Sequence, residues 1–270
     1  MNRRNIIGLI SVTAFGLAIL PGAAFAQQVL NVGYAPFNSP FTFLPGAAWN
    51  NYQTLDPKGT MAQGALVDVI NAIAKDAGVQ VKFVPVAVWD QAAALASNRI
   101  GLTTTEVGTS PDNKLAMVFT RPIYNTSDTL LVKKSDTKQY TTYEDLKGAV
   151  IGAQKGTISA DALVKSGIFL EVKLYATAPE LAQAVHEDDI KAGFYNSVIA
   201  LTYELQHGMR QDLQIVKSYQ PMFVTATVIG ARKDDGDMLK KIDTSLAKLK
   251  ADGTVKAIFT KYGLEGNLVN

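Results

Sequence analysis

Apolar and polar residues alternate along most of the chain, with a period of two in some segments and a helical period in others. Residues 29–34 alternate as a strand, whereas Leu66, Val69, Ile70 and Ile73 share one face of a helix that should end at Gly78. Further strands are predicted at residues 79–85, 102–104, 129–134, 149–153, 172–175, 192–195 and 226–231. Helices are predicted at residues 89–97, 158–166 and 178–186, and along an amphipathic stretch that stops at Gly253 before a last short helix. The alternation predicts an α/β fold with a parallel sheet covered on both faces.

Three stretches interrupt the alternation of predicted strands and helices. Residues 120–127 (TRPIYNTS) and 218–225 (SYQPMFVT) are irregular and contain proline. Two lobes joined by two hinge crossings would explain them, with residues 27–122 plus 224–270 as lobe 1 and residues 123–223 as lobe 2; two ordinary loops in one domain are the alternative. The third stretch, residues 44–63, is a long loop carrying Trp49 and Tyr52, which either covers a site or is a surface insertion.

The first 26 residues have the three parts of a secretory signal. Arg3 and Arg4 precede an apolar run, and Ala24 and Ala26 form a small-residue cleavage site. The apolar run is short for a membrane span. We therefore expect cleavage after Ala26 and export to the periplasm.

Charge and cysteine content exclude several classes of partner and site. Removing the 26-residue signal takes two of the 26 basic residues and none of the 24 acidic ones, so the mature chain is neutral. A neutral protein lacks the electrostatic footprint of a nucleic-acid binder. The chain has no cysteine, which excludes disulfides, thiolate metal sites and a cysteine nucleophile. We expect no nucleic-acid partner and a monomer.

The chain contains no motif that identifies an enzyme or a metalloprotein. Phosphate-binding glycine loops, the GxSxG nucleophile turn and HExxH are all missing. His186-Glu187-Asp188-Asp189 is typical of a solvated helix end rather than a metal site. We predict a non-enzyme without catalytic residues, metal or cofactor.

Two strand-to-helix turns are better candidates for ligand binding. One runs through Ser110 to Asn113, with Ser110 as a helix N-cap, and the other includes Thr157 and Ile158. Helix amino termini present unbonded N–H groups and a positive dipole end to a ligand. Every α/β protein has such turns, so ordinary loops remain the alternative.

Five segments together resemble the family 3 periplasmic solute-binding proteins, the amino-acid-type receptors of ABC importers. They are VGYAPFNSPFTF, QGALVDVINAIAKDAGVQVKFVPVAVWDQAAALASNRI, VFTRPIY, YEDLKGAVIGAQKGT and LKADGTVKAIFTKYG, and they span nearly all of residues 29–264 in the expected order. The resemblance implies a type II, two-lobe "venus flytrap" fold with a ligand in the interlobe cleft. It also implies delivery of that ligand to the transmembrane subunits of an ABC permease.

The chain departs from this family at the two charge clamps. Family members usually have arginine, which binds the ligand's α-carboxylate, where this chain has Asn113, and aspartate, which binds the α-ammonium, where it has Asn196. Thr105 and Glu106 replace a common Ser-Gly pair, and Glu106 either holds a ligand cation or faces solvent. Unless Arg121 or Lys155 turns inward, a buried carboxylate would lack a compensating cation. We therefore expect a small polar solute, amino-acid-like or amino-acid-derived, that is not a plain zwitterionic amino acid.

The expected ligand-binding residues combine aromatic and uncharged polar side chains with one acid. Aromatic rings stack on apolar or cationic solutes, although Phe41 and Trp89 could equally belong to the core. The full set is Tyr34, Phe41, Trp89, Thr105, Glu106, Ser110, Asn113, Thr157, Ile158 and Asn196.

Two other functions use the same fold. A periplasmic enzyme similar to cyclohexadienyl dehydratase would need a cation for its dicarboxylate substrate, which the loss of the clamp arginine disfavours. A sensor that docks to a membrane receptor would keep the cleft, so the sequence does not separate sensing from transport.

Overall fold

The structure is a computed structural model that describes residues 29–47, 52–104, 117–207, 210–264, 266 and 268–269. Within these residues the chain forms two five-stranded sheets, each with helices on both faces. We call the first sheet and its helices the first lobe, and the second sheet and its helices the second lobe.

The first sheet has the strand order β4-β1-β5-β14-β6. Strand β1 lies parallel to β4 and β5, whereas β14 runs antiparallel to β5 and β6. The strands are β1 Val29–Tyr34, β4 Gln80–Pro85, β5 Leu102–Thr103, β6 Met117–Phe119 and β14 Gly230–Arg232. A short hairpin, β2 Phe37–Asn38 with β3 Thr42–Phe43, follows β1. The late strand β14 brings the carboxy-terminal segment back into the first lobe.

The second sheet repeats this plan with the order β10-β9-β11-β8-β12. Strand β9 is parallel to β10 and β11, and β8 is antiparallel to β11 and β12. The strands are β8 Thr129–Lys133, β9 Val150–Gln154, β10 Glu171–Tyr175, β11 Ala192–Tyr195 and β12 Leu213–Ile215. The expectation of a parallel sheet is therefore wrong in part. Both sheets are mixed, because β8 and β14 each enter their sheet from the crossing between the lobes.

The two crossings predicted as irregular stretches pair with each other. Strand β7, Tyr124–Ser127, lies antiparallel to β13, Val224–Thr227, and together they form a separate two-stranded ribbon. The single strand predicted at residues 226–231 is accordingly two strands, β13 and β14, separated by Val228 and Ile229.

Helix α2, Ala65–Ala77, follows the predicted apolar periodicity, whereas the helix predicted at residues 89–97 is the shorter α3, Gln91–Ala96, after a 3₁₀ turn at Val88–Asp90. In α2, the residues at helical spacing, including Leu66, Ile70 and Ile73, are buried, and Gly78 ends the helix in the left-handed conformation that glycine adopts without strain. The helices are α1 Tyr52–Leu55, α2 Ala65–Ala77, α3 Gln91–Ala96, α4 Ile158–Ser166, α5 Ala178–His186, α6 Val198–Gln206, α7 Gly236–Ala251 and α8 Thr254–Lys261. In the described part of the chain, no helix is both long and apolar enough to span a bilayer.

Candidate functional site

A cleft lies between the lobes, beside the two-stranded ribbon. The first lobe contributes residues 35–38 and 87–89 to its walls, and the second lobe contributes residues 154, 156–159, 176, 178, 195–197, 200 and 204. Asp128, Phe223 and Thr225 line it near the crossings. The carboxyl ends of β9 and β11 open into this space, which is where open α/β sheets place their ligands.

Thr157 caps α4 at the cleft wall. Its hydroxyl donates to Gln154 O at 2.8 Å and accepts from Ala160 N at 3.2 Å, which fixes the turn after β9. Ile158 and Ser159, the first two residues of the helix, also line the cleft. The amino terminus of α4 therefore faces the space between the lobes, where its N–H groups favour an acceptor atom.

A second helix starts at the end of β11. Asn196 lines the cleft, and Ser197 caps α6 by accepting from Ala200 N at 3.2 Å. The Ser197 hydroxyl also accepts a hydrogen bond from Thr126 Oγ1 in β7 at 3.1 Å. This bond joins the amino terminus of α6 to the crossing ribbon and fixes the position of Asn196.

Trp89 lies where the first lobe meets the second. Gly156, at φ +81°, approaches it so closely that an added Cβ would lie 2.8 Å from Trp89 Cβ and 2.9 Å from its Cα. The Lys155 ammonium lies 5.3 Å from the centre of the Trp89 ring, a cation–π contact across the cleft. The two lobes therefore touch each other at Trp89.

Two carboxylates line the cleft in the described chain. Asp128 is buried, and its oxygens accept from Tyr219 Oη and from Phe223 N, both at 2.7 Å. Glu204, on the second turn of α6, has an Oε2 atom that is buried without a hydrogen-bond partner among the described residues. Burial raises the pKa of Glu204 to about 8. Both carboxylates were missed in the sequence.

The two basic residues that the sequence offered in place of the clamp arginine are both engaged by other side chains. Arg121 forms a two-pronged ion pair with Asp243, with Nε to Oδ1 at 3.0 Å and Nη2 to Oδ2 at 2.9 Å. This pairing raises the pKa of the guanidinium. Lys155 lies over Trp89. No lysine, arginine or histidine lines the cleft among the residues that the structure describes.

The structure brings four of the expected site residues together and moves two elsewhere. Trp89, Thr157, Ile158 and Asn196 all line the cleft. Tyr34 and Phe41 do not.

Tyr34 and Phe41 are fully buried in the apolar core of the first lobe. Phe41 stacks on Tyr124 with ring centres 4.4 Å apart, and Tyr34 packs edge-on against Phe83. The expectation that Tyr34 and Phe41 line the ligand site is therefore corrected: both rings belong to the core. Strand β1 and the hairpin after it turn these two rings towards α2, because the rings complete the hydrophobic layer there.

Several expected residues lie outside the described part of the chain. They are Thr105, Glu106, Ser110, Asn113 and Trp49, together with the signal segment 1–26. Tyr52 begins α1, which replaces part of the expected long loop. In the described residues, no cluster of three or more His, Asp or Glu side chains is arranged to hold a metal ion.

Comparisons with known proteins agree with this architecture. The model of the family "Bacterial extracellular solute-binding proteins, family 3" matches residues 30–265. The L-cystine-binding protein TcyJ of Escherichia coli K12 is 27% identical over 207 residues, covering 74% of this chain and 73% of that protein. The histidine-binding periplasmic protein of the same organism is 23% identical over 268 residues, covering 96% of each. Among solved structures, an ancestral arginine-binding protein bound to glutamine has a TM-score of 0.72 at 27% identity, covering 86% of this chain and 96% of that one.

Proposed function

Because the chain belongs to the family 3 bacterial extracellular solute-binding proteins, we propose that it is the periplasmic receptor of an ABC importer. It captures a small polar organic solute between its lobes and delivers it to the transmembrane subunits of a permease. The observation that carries this proposal is the cleft itself. The amino termini of α4 and α6 face it from the second lobe, and Trp89 closes it from the first.

The solute is amino-acid-like or amino-acid-derived, and it is not a plain zwitterionic amino acid. The named relatives bind L-cystine and histidine, which supports the amino-acid character. The described lining offers hydrogen-bonding groups and carboxylates but no cation for a free α-carboxylate, since Arg121 is paired with Asp243 and Lys155 lies over the Trp89 ring. An α-carboxylate buried without a cation would lose hydration that neutral amides replace only in part.

Solute capture is favoured over catalysis. Both named relatives are binding proteins. In the described cleft, the Asp128 carboxylate is held by Tyr219 and by a backbone N–H, so it is positioned as a structural acceptor rather than as a base facing a substrate.

The solute is identified by mass spectrometry of the small molecules released when freshly purified protein is denatured. Calorimetry with that solute and with common L-amino acids then tests its class. We expect the common amino acids to bind more weakly than micromolar, which corresponds to about −8 kcal/mol. Micromolar binding of several unmodified amino acids would contradict our interpretation of the clamps.

Restoring the family's clamps provides the reciprocal test. The double variant Asn113→Arg plus Asn196→Asp should bind the native solute more weakly and admit simple amino acids, because each charge-assisted bond contributes about 1.5 to 3 kcal/mol. The neutral double variant Asn113→Gln plus Asn196→Gln controls for side-chain size. Transport is tested separately, by solute uptake in cells that lack the chromosomal copy of this gene, with and without a plasmid copy.

A further inference from the structure

Glu204 occupies an unusual position for an acidic side chain. It lies four residues after Ala200 and three after Leu201, both buried, so it shares the inward face of α6. It lines the cleft together with Tyr195 and Phe223. Its Oε2 atom is buried and has no hydrogen-bond partner among the described residues. Glutamate is rarely buried without a partner, so this position calls for a physical explanation.

The surroundings of Glu204 in the described chain do not compensate its charge. Burial is the cause that raises its pKa to about 8, and no neighbouring cation opposes that effect. Asp128, the other carboxylate along the cleft, is already held by Tyr219 and by the backbone of Phe223. A carboxylate left unpaired in a sheltered cleft costs free energy that a suitable ligand group would recover.

Building on the proposed function, we propose that Glu204 binds a cationic nitrogen of the solute, an ammonium or guanidinium group, at the α6 side of the cleft. The solute then belongs to the class of amines and guanidines, with a polar part at the amino termini of α4 and α6. Phe223, Tyr195 and Ala178 provide apolar surface along which a carbon stem reaches the carboxylate.

Binding a cation at Glu204 is coupled to release of a proton. With the lobes in contact, burial raises the pKa of Glu204 to about 8, whereas a bound cation favours the ionised form, so a cation that binds here displaces the proton.

Other titratable groups near Glu204 in the described chain are few. Tyr195 of β11 donates to Ala178 O, and Asp128 lines the same cleft. Tyr124 belongs to β7, which packs on α6, and Tyr203 of α6 stacks on His207, which follows the helix. Strand β12, which also packs on α6, contains no titratable residue. None of these groups supplies a cation towards the cleft lining.

The test uses matched pairs of probes that differ in the distal cation: L-arginine with L-citrulline, L-lysine with L-norleucine, and the carboxamide of each. The solute released from the purified protein joins the panel. Wild type, Glu204→Gln and Glu171→Gln are titrated by calorimetry. Glu171 is exposed on β10, away from the cleft, so its variant is a matched control.

We expect a cationic probe to bind wild type and Glu171→Gln about 10- to 100-fold more tightly than its neutral partner, in line with a charge-assisted bond. In Glu204→Gln this preference should fall to within about threefold. Titrations in buffers of different ionisation enthalpy should show net proton release by wild type and none by Glu204→Gln.

The possible failures are distinct. If a solute binds wild type and Glu204→Gln equally, or binds without proton release, the role of Glu204 is overturned while the receptor function stands. Release of a solute without a cationic nitrogen would likewise overturn the role of Glu204 and leave the receptor function standing. If no solute is released and no probe binds any of the three proteins, the proposed function fails together with the inference.

Discussion

Gly156 is the residue at which the second lobe touches Trp89 of the first. A methyl group there would lie 2.8 to 2.9 Å from Trp89 Cβ and Cα, atoms that move only with the backbone. We expect Gly156→Ala to hold the lobes apart and to lower solute affinity about tenfold or more, because the closed form becomes less populated. Calorimetry with the released solute measures this loss.

Gly167→Ala is the matched control. Gly167 also has a positive φ, +64°, but an added Cβ would meet nothing within 4 Å. Both variants should lose about 1 to 2 kcal/mol of stability from left-handed strain. Equal affinity in the two variants would show that the Gly156–Trp89 approach does not limit closure.

The raised pKa of Glu204 also predicts how the free energy of unfolding depends on pH. Its pKa is raised in the folded protein to about 8 from an ordinary 4.5, so the folded state binds this proton more tightly than the unfolded state. The stabilisation is complete below about pH 4.5 and is lost as pH rises through about 8. Glu204→Gln should therefore match wild type at low pH and exceed it by about 2 to 4 kcal/mol at pH 9, as measured by urea unfolding. Parallel stability curves from pH 5 to 9 would contradict the raised pKa.

At single positions, the sequence indicated residues that line the cleft where local signals are strong. Thr157 and Asn196 follow strand patterns and precede helices, which places them at the edge where ligands bind. Tyr34 and Phe41 share the same kind of neighbourhood in sequence, and only the packing of α2 against β1 and β3 decides that they are core. Glu204 was missed because a lone glutamate in a helix resembles a solvated residue. Its spacing from Ala200 and Leu201 was the available signal.

Among the elements, Asp128 connects the crossing ribbon to the segment that contains Tyr219 and Phe223 and precedes β13. This buried carboxylate follows β7 and accepts hydrogen bonds from Tyr219 and from Phe223 N, which precede β13. Burial, together with the hydrogen bond to Asp128, raises the pKa of the Tyr219 hydroxyl. We expect Asp128→Asn to lower the free energy of unfolding by about 2 to 4 kcal/mol, since it weakens two bonds to a charged acceptor.

Tyr219→Phe separates the two contributions. It removes the hydroxyl bond and keeps the one to Phe223 N, so it should cost about half as much in urea unfolding. If Asp128→Asn lowers the free energy of unfolding no more than Tyr219→Phe does, the bond from Phe223 N to Asp128 contributes nothing measurable to stability.

Element boundaries were predictable where caps mark them, whereas strand direction was not. Thr157 and Thr177 cap α4 and α5, and Gly167 ends α4, so both helices have the predicted bounds. The apolar pattern of a strand is the same in either direction. The antiparallel placement of β8 and β14 therefore depends on the route of the crossings, which no local signal contains.

The molecule as a whole repeats one sheet plan twice around a ribbon of two strands. In each sheet, the strand that follows a crossing lies antiparallel to its neighbours, and β7 and β13 run side by side between the lobes. A rotation about this ribbon would separate Gly156 and Lys155 from Trp89. We therefore predict that backbone angles change in this ribbon when the cleft opens.

Solute should close the cleft by rotation of the lobes. We expect the empty protein in solution to be more open than the touching arrangement described above, and the released solute to reduce its radius of gyration in small-angle scattering. The melting temperature should rise at the same time, because a ligand at 100 times its Kd stabilises the folded state by about 2.7 kcal/mol. Gly167→Ala should compact as wild type does, whereas Gly156→Ala should compact less at equal saturation. A rise in melting temperature with an unchanged radius of gyration would mean that solute binds to a rigid cleft, and the ribbon would then not act as a hinge.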